Sequence, residues 1–292
     1  MAISTAMIKE LREATGAGIL DSKKALESSE GDLDRAIEIL REKGLAKAGK
    51  KASREANDGL VIAKMSDDRK RASLVAVNCE TDFVARTEDF GAFSNSVAQQ
   101  YLDDDSLNSV EDLLNANYGD SGKTVSDAIQ DTISKLGENI LVKQAERYVL
   151  EGEGVIDAYI HLNNQLGVLV EVSTDNAVSD QDALVELAHD VALQITAVNP
   201  AYLSPDDVPE NLIEEERKIL LAQLADDNKP DNIKEKIVEG RLKKFYTENC
   251  LLEQEFVKDG SLTINKLLQQ SGKSLGATIS IRRYARFALG ES

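Results

Sequence analysis

A chain of 292 residues is long enough to bury roughly three quarters of its unfolded surface and to divide into two or more domains. With 42% apolar and 29% charged residues, and no run near the roughly 18 apolar residues of a membrane span, it reads as a soluble globular protein. A formal charge of −18, aromatics at only 4% and the lack of Trp argue against strong nucleic-acid binding and for protein partners. Met1 to Met7 lack the basic start and apolar run of a signal peptide, and Cys79 and Cys250 make no disulfide framework, so reduced thiols in a cytoplasm are expected. His161 and His189 are too far apart in sequence for a metal motif, and no cofactor is implied.

Residues 4–43 are predicted as three short helices. Ser4 or Thr5 caps the first, Ile8 and Leu11 share one face, and Gly16 and Gly18 break it. The pattern restarts over Ile19 to Ser28 through Leu20 and Leu26. Glu30-Gly31-Asp32 then turns the chain, with Asp32 as N-cap of a third helix whose stripe is Leu33, Ala36, Ile37 and Leu40. About 40 residues give only a small core, so this unit is expected to move relative to the rest of the chain. Residues 44–58, small, polar and locally basic, read as a solvated linker.

Leu74-Val75-Ala76-Val77 reads as a buried strand, followed by Asn78-Cys79-Glu80-Thr81-Asp82-Phe83-Val84-Ala85-Arg86. A Phe at a strand exit is ordinarily core. Sliding the chain against itself by 95 positions sets Gly59-Leu60-Val61 on Gly154-Val155-Ile156 and Leu74–Val77 on Leu169–Val172. After a one-residue slip, Phe90, Phe93, Val97 and Ala98 fall on Leu184, Leu187, Val191 and Ala192, both sets at helical spacing. Gly137 to Val142 likewise aligns with Gly276 to Ile281, and Arg147-Tyr148 with Arg286-Phe287. Each half is thus strand, strand, helical region, strand: an α+β class with two similar subdomains and small antiparallel sheets. Pro209 to Phe245, broken at Asp226–Asp231, interrupts the second half as a charged antiparallel helical hairpin. Its seam is Ile213, Leu220 and Leu224 against Ile233, Ile237 and Val238.

Five motifs within this duplicated frame resemble the bacterial elongation factor Ts family, the nucleotide exchange factors of elongation factor Tu. They are Leu11 to Leu26 (LREATGAGILDSKKAL), Asn78 to Val84 (NCETDFV), Leu136-Gly-Glu-Asn-Ile140, Tyr159-Ile-His161 and Val238-Glu-Gly-Arg241. The resemblance covers essentially the whole chain. It implies a ubiquitin-associated-like (UBA-like) helical domain with basic linker (1–53), core subdomains at 54–149 and at 150–207 with 247–292, and an inserted coiled coil (208–246). It also implies a translation factor that binds elongation factor Tu, GDP-bound and nucleotide-free, and promotes GDP release. By the same resemblance Thr81, Asp82, Phe83 and Val84 act on the partner's magnesium and phosphate site, with Asp82 and Phe83 exposed. Lys23, Lys24, Leu136, Gly137 and His161 are further partner contacts. His189, on an amphipathic helix, is expected to be structural. Longer family members continue into a C-terminal helix, whereas this chain stops at Leu289-Gly290-Glu291-Ser292, and the loop after His161, Leu162-Asn163-Asn164-Gln165, departs from the glycines and arginine common in relatives. A reduced C-terminal contact and an altered His161 contact are expected.

An enzyme reading has no support: there is no Gly-x-x-x-x-Gly-Lys-Ser/Thr loop, no Gly-x-Ser-x-Gly and no His or Cys with a plausible partner set, so no catalytic residue is assigned. The stronger rival is a UBA-like docking adaptor without exchange activity, against which the duplicated core and Asp82-Phe83 count. An RNA role through Lys47 to Arg54 ranks third. Pairing of exposed sheets leaves a homo-oligomer open.

Overall fold

Leu74-Val75-Ala76-Val77 carries no polar position because both of its faces are covered. In a computed structural model describing residues 3–15, 17–51, 53–224 and 230–291, the run lies in the middle strand of a three-stranded antiparallel sheet. The N-terminal helices are α1 (Thr5–Thr15), α2 (Ile19–Ser28) and α3 (Leu33–Lys51). The first core half is β1 (Asp58–Met65), β2 (Arg71–Cys79), α4 (Asp82–Ala85), α5 (Glu88–Asp103), α6 (Val110–Asn115), α7 (Val125–Leu136) and β3 (Ile140–Val149). The second begins with β4 (Glu153–His161), β5 (Leu166–Thr174) and α8 (Gln181–Val198). It continues with α9 (Glu210–Ala222), α10 (Asp231–Asn249), β6 (Glu255–Phe256), β7 (Asp259–Thr263), α11 (Ile264–Leu275) and β8 (Ile279–Ala288). The sheets run β1-β2-β3 and β4-β5-β8, and β6-β7 is a small separate hairpin that no sequence signal announced.

The two halves match in detail. In each, the register shifts at the same point of the middle strand, between Ala76 and Val77 and between Glu171 and Val172. Gly59 and Gly154 have φ of +140° and +143°, and a Cβ there would lie 2.1 and 2.2 Å from the carbonyl oxygens of Val77 and Val172, a conformation and an approach open only to glycine. Thr124 and Thr263 cap α7 and α11, and Gly137 and Gly276 end them in the left-handed conformation.

Strand alternation sorts the β2 side chains between two cores. Val75, Val77 and Cys79 face α5 and α7, whereas Ala72, Leu74 and Ala76 meet Ile156, Leu169 and Phe287 of the other half. Val168, Val170 and Val172 of β5 face α8 and α11 in turn. The two sheets therefore pack face to face between outer helices. Both sheets thus have their faces covered, whereas the sequence reading left open a pairing of copies through exposed sheets. Polar groups cross the same interface: Arg69 pairs with the buried Asp157 at 2.5 Å, and Arg283, bonded at 2.7 Å to the buried Glu171 of its own sheet, lies 4.0 Å from the Tyr148 ring centre of the first half.

The N-terminal helices close around Leu11, Ala25, Leu26 and Ala36. Ser4 receives the Met7 N–H and Asp32 that of Arg35, the caps anticipated. Two expected core positions turn outward: Leu20 is 72% exposed, and Ile37 is also exposed. The linker reading is corrected as well. Helix α3 runs on to Lys51, over an Ala- and Lys-rich stretch of high helix propensity, and packs on α7. Just beyond it, Arg54 and Ala56 offer their carbonyls to the side-chain amides of Asn139 (2.8 Å) and Asn78 (3.1 Å). The unit is docked rather than loosely tethered.

Helices α9 and α10 share a seam of Leu220, Leu224, Val238 and Leu242, edged by Ile213, Ile237 and Tyr246. Ile233, expected in that seam, is exposed, and α10 runs past Phe245 to Asn249. Gly16, Ser292 and the 225–229 part of the anticipated break lie outside the described residues. Among the described residues no helix is long and apolar enough to cross a membrane.

Candidate functional site

The chain leaves β2 through Glu80 and Thr81 into α4, a single helical turn of Asp82 to Ala85. Four residues form no stable helix unaided. Here Thr81 caps the turn, receiving the Val84 N–H at 3.4 Å, and the Val84 and Ala85 side chains are buried in the core of the first half. Asp82 sits in the first turn, where the helix dipole favours a negative charge, and pairs with Arg86 at 2.8 Å. Phe83 points the other way and is 80% exposed. This is the exposure that the resemblance implied, and not the core role usual for a Phe at a strand exit. Val84, grouped with the partner contacts in the sequence reading, is buried beneath the turn instead.

A second motif comes from 55 positions further on. Gly137 closes α7 by donating its N–H to the Ile133 carbonyl at 2.9 Å, so the glycine is a C-cap, and Leu136 packs at the edge of the same core. The next residue, Glu138, reaches the strand exit: its carboxylate accepts the Thr81 hydroxyl at 2.6 Å and the Thr81 N–H at 3.0 Å. Glu80 answers in the opposite direction, accepting the Asn139 N–H at 2.7 Å, and its carboxylate lies 3.4 Å from Arg54. Lys51, at the end of α3, bonds the Gly137 carbonyl. Beneath these groups the Cys79 thiol lies 3.2 Å from the Thr81 carbonyl, to which it donates. Burial first, and then the Glu138 carboxylate, push that thiol up to about 12, so it stays protonated at neutral pH. The structure thus joins Thr81–Val84 and Leu136–Gly137 into one surface and adds Glu80, Glu138 and Asn139, which the sequence reading had only as motif letters.

Lys23 and Lys24 are exposed on α2, Lys23 lying 3.7 Å from Glu27 of the same helix. Beside them Ile19 and Leu20 are 59% and 72% exposed, an apolar pair the sequence reading did not single out as a contact. Adjacent helical positions point about 100° apart, and α2 buries only the stripe through Ser22, Ala25 and Leu26. A cleft of about 320 Å³, lined in part by Gly18, Asp21, Arg41 and Lys135, separates this end of the helical unit from α7.

His161 ends β4, half-buried, with Nδ1 2.9 Å from the Tyr159 hydroxyl. The Tyr159 and His189 rings meet in a T-shaped contact, and His189 on α8 also places its Nδ1 3.0 Å from Asp157 of β4, so its neighbours are those of its own half. After His161 three consecutive residues, Leu162, Asn163 and Asn164, have positive φ. Asn tolerates that backbone region and Leu does not, yet Leu162 is also 63% exposed. The Asn164 carbonyl accepts the Val61 N–H at 2.6 Å, which docks the loop on β1 of the first half.

The model of the family described as elongation factor TS matches residues 80–291 of this chain, from Glu80 of the site to the end of the described residues. Elongation factor Ts of Clostridium kluyveri strain ATCC 8527 is 47% identical over 290 residues, covering 99% of this chain and 93% of the relative. Those of Clostridium novyi strain NT and Clostridium perfringens strain SM101 are each 44% identical, over 290 and 289 residues, with the same coverage.

Proposed function

This chain belongs to the elongation factor Ts family of translation elongation factors, and on that premise we propose that it binds elongation factor Tu carrying GDP and accelerates GDP release so that GTP can enter. The observation that carries the reading is a bulky apolar ring, Phe83, held in water on a turn fixed from both sides. An apolar ring left in solvent forgoes about 2 kcal/mol of burial. That stabilisation becomes available to whichever state of a partner opens a slot for the ring. If the slot exists only when the partner's nucleotide site is loosened, insertion favours the loosened state, and displacement of the partner's magnesium ion leaves phosphate facing carboxylate unscreened. Linkage makes the effect reciprocal: nucleotide and exchange factor weaken each other's binding, so incoming nucleotide later expels the factor. No covalent step occurs on this chain.

Within this reading Phe83 is the wedge, and Asp82, half-exposed beside Arg86, acts with it on the partner's site. Thr81 and Val84 shape the turn. Lys23 and Lys24, with Ile19 and Leu20, form an N-terminal contact, the Leu136–Gly137 turn brings backbone near the partner, and His161 with Leu162 supplies a contact from the second half. Residues 1–53 then serve as the UBA-like domain and 208–246 as an antiparallel coiled-coil projection from a core of 54–149 and 150–207 with 247–292. A cytoplasmic site of action accords with that partner.

Release of fluorescent GDP from a cognate elongation factor Tu, with magnesium present, tests the reading. Acceleration by this protein that Phe83→Ala reduces is the expected result. A folded wild-type protein that leaves release unchanged at saturating concentration overturns it and favours a docking adaptor.

A further inference from the structure

We propose that Glu138 is a positioning residue for the wedge: its carboxylate clamps Thr81 and thereby fixes the direction in which Phe83 projects. This rests on the exchange reading above and deepens it. The clamp is bidentate, one oxygen on the Thr81 hydroxyl and the other on the Thr81 N–H, at 2.6 and 3.0 Å, and hydrogen bonds to an ionised carboxylate are the stronger kind. Thr81 is also the cap of the four-residue turn, so one carboxylate controls the residue on which α4 depends. Glu138 is itself anchored. Its neighbour Asn139 is buried, gives its N–H to Glu80 and its side-chain amide to the Arg54 carbonyl, while Gly137 on the other side ends α7.

The internal duplication supplies the comparison. In the second half the counterparts of Glu80 and Asn139 are Asp175 and Thr278, and the equivalent bond is kept, the Thr278 N–H reaching Asp175 at 2.7 Å. The counterparts of Thr81 and Glu138 are Asn176 and Ala277, which cannot make the clamp, and there the chain forms no helix before α8 and projects no aromatic. The bond from the strand-exit carboxylate occurs in both halves. The clamp occurs once, with the wedge.

The chain has no Trp, so Phe83→Trp introduces a single indole whose time-resolved anisotropy reports the mobility of position 83 in the full-length protein. In that background Glu138→Ala is expected to increase the fast angular motion of the indole, and Glu138→Gln, which keeps one acceptor, to increase it less. In the Phe83 protein, Glu138→Ala is expected to lower the stimulated GDP release rate about fivefold, the net scale of one ordinary hydrogen bond, with partial rescue by Glu138→Gln. Thr81→Val, which removes the hydroxyl from the other end, reproduces the loss. Unchanged indole motion in Glu138→Ala overturns the clamp. Increased motion with wild-type release rates overturns the positioning role while leaving the exchange reading intact. Failure of the wild type to stimulate release overturns both.

Discussion

The two core halves share a backbone and differ in what they show to solvent. Where the middle strand ends, both halves place a carboxylate, Glu80 or Asp175, on the N–H of the residue that precedes the last strand by one, at 2.7 Å in each. Beyond that point the first half forms a capped turn bearing an exposed Phe83, and the second continues without a helix through Ala177 and Val178, the latter tucked against the core. Features present in both copies belong to the shared scaffold. Features in one copy stand outside it, and they are where function is sought.

The largest expected effect tests the shared part. Gly59→Ala and Gly154→Ala each drive a methyl into a strand carbonyl at positive φ, so each is expected to cost at least about 3 kcal/mol in chemical denaturation, equally in the two halves. A loss under about 1 kcal/mol at either position would break the equivalence. The next tests the divergent part. Phe83→Ala is expected to lower stimulated GDP release by up to about 30-fold, the equivalent of about 2 kcal/mol of lost apolar burial, while global stability stays within about 0.5 kcal/mol. Its counterweight, Val178→Ala, is expected to lose about 1 kcal/mol of stability and leave release unchanged.

Smaller effects come from charge. Burial raises the Glu146 carboxyl above its ordinary range, only partly offset by Arg283, and the second-half counterpart is Ala285. The folded protein prefers protonated Glu146, so this group's contribution is fully present at acid pH and is lost as pH rises through its folded-state value. Glu146→Gln is therefore expected to be more stable than wild type at neutral pH, with the gap closing in thermal melts below the ordinary carboxylate range. Asp175 behaves in the opposite sense: hydrogen bonds from Thr278 lower its carboxyl, so its contribution is present at neutral pH and lost on acidification. Asp175→Asn, with the group fully exposed, is expected to give the smallest change, confined to pH above the ordinary carboxylate range.

Much of the fold was legible in the residues. The offsets of 95 and 139 positions survive because strands, caps and bulges are set by short-range sterics, and short-range sterics recur wherever the same residue types recur. The helix caps at Ser4 and Asp32 were readable for the same reason. Leu20 and Ile37 were misplaced because helical spacing identifies candidate faces but not how much of each face a three-helix unit can cover. The linker reading failed at Lys51 because charge and glycine content mask helix propensity once a neighbour such as α7 is there to pack on. The β6-β7 hairpin, with a first strand of two residues, is too short for any period to register.

By itself the sequence determined the succession of strands and helices within each half, the match of Gly59 with Gly154, and a motif at 78–84 whose letters resemble an exchange factor's. Only the tertiary structure decided that Phe83 faces water, that Val84 does not, and that Thr81 is held by a carboxylate from another part of the chain. The physical reason is range. Caps, turns and pleats are fixed by atoms within a few residues, whereas exposure is fixed by whatever the rest of the chain brings alongside. At Phe83 the described residues leave the ring 80% exposed, and Glu138 is brought alongside the residue two positions before it.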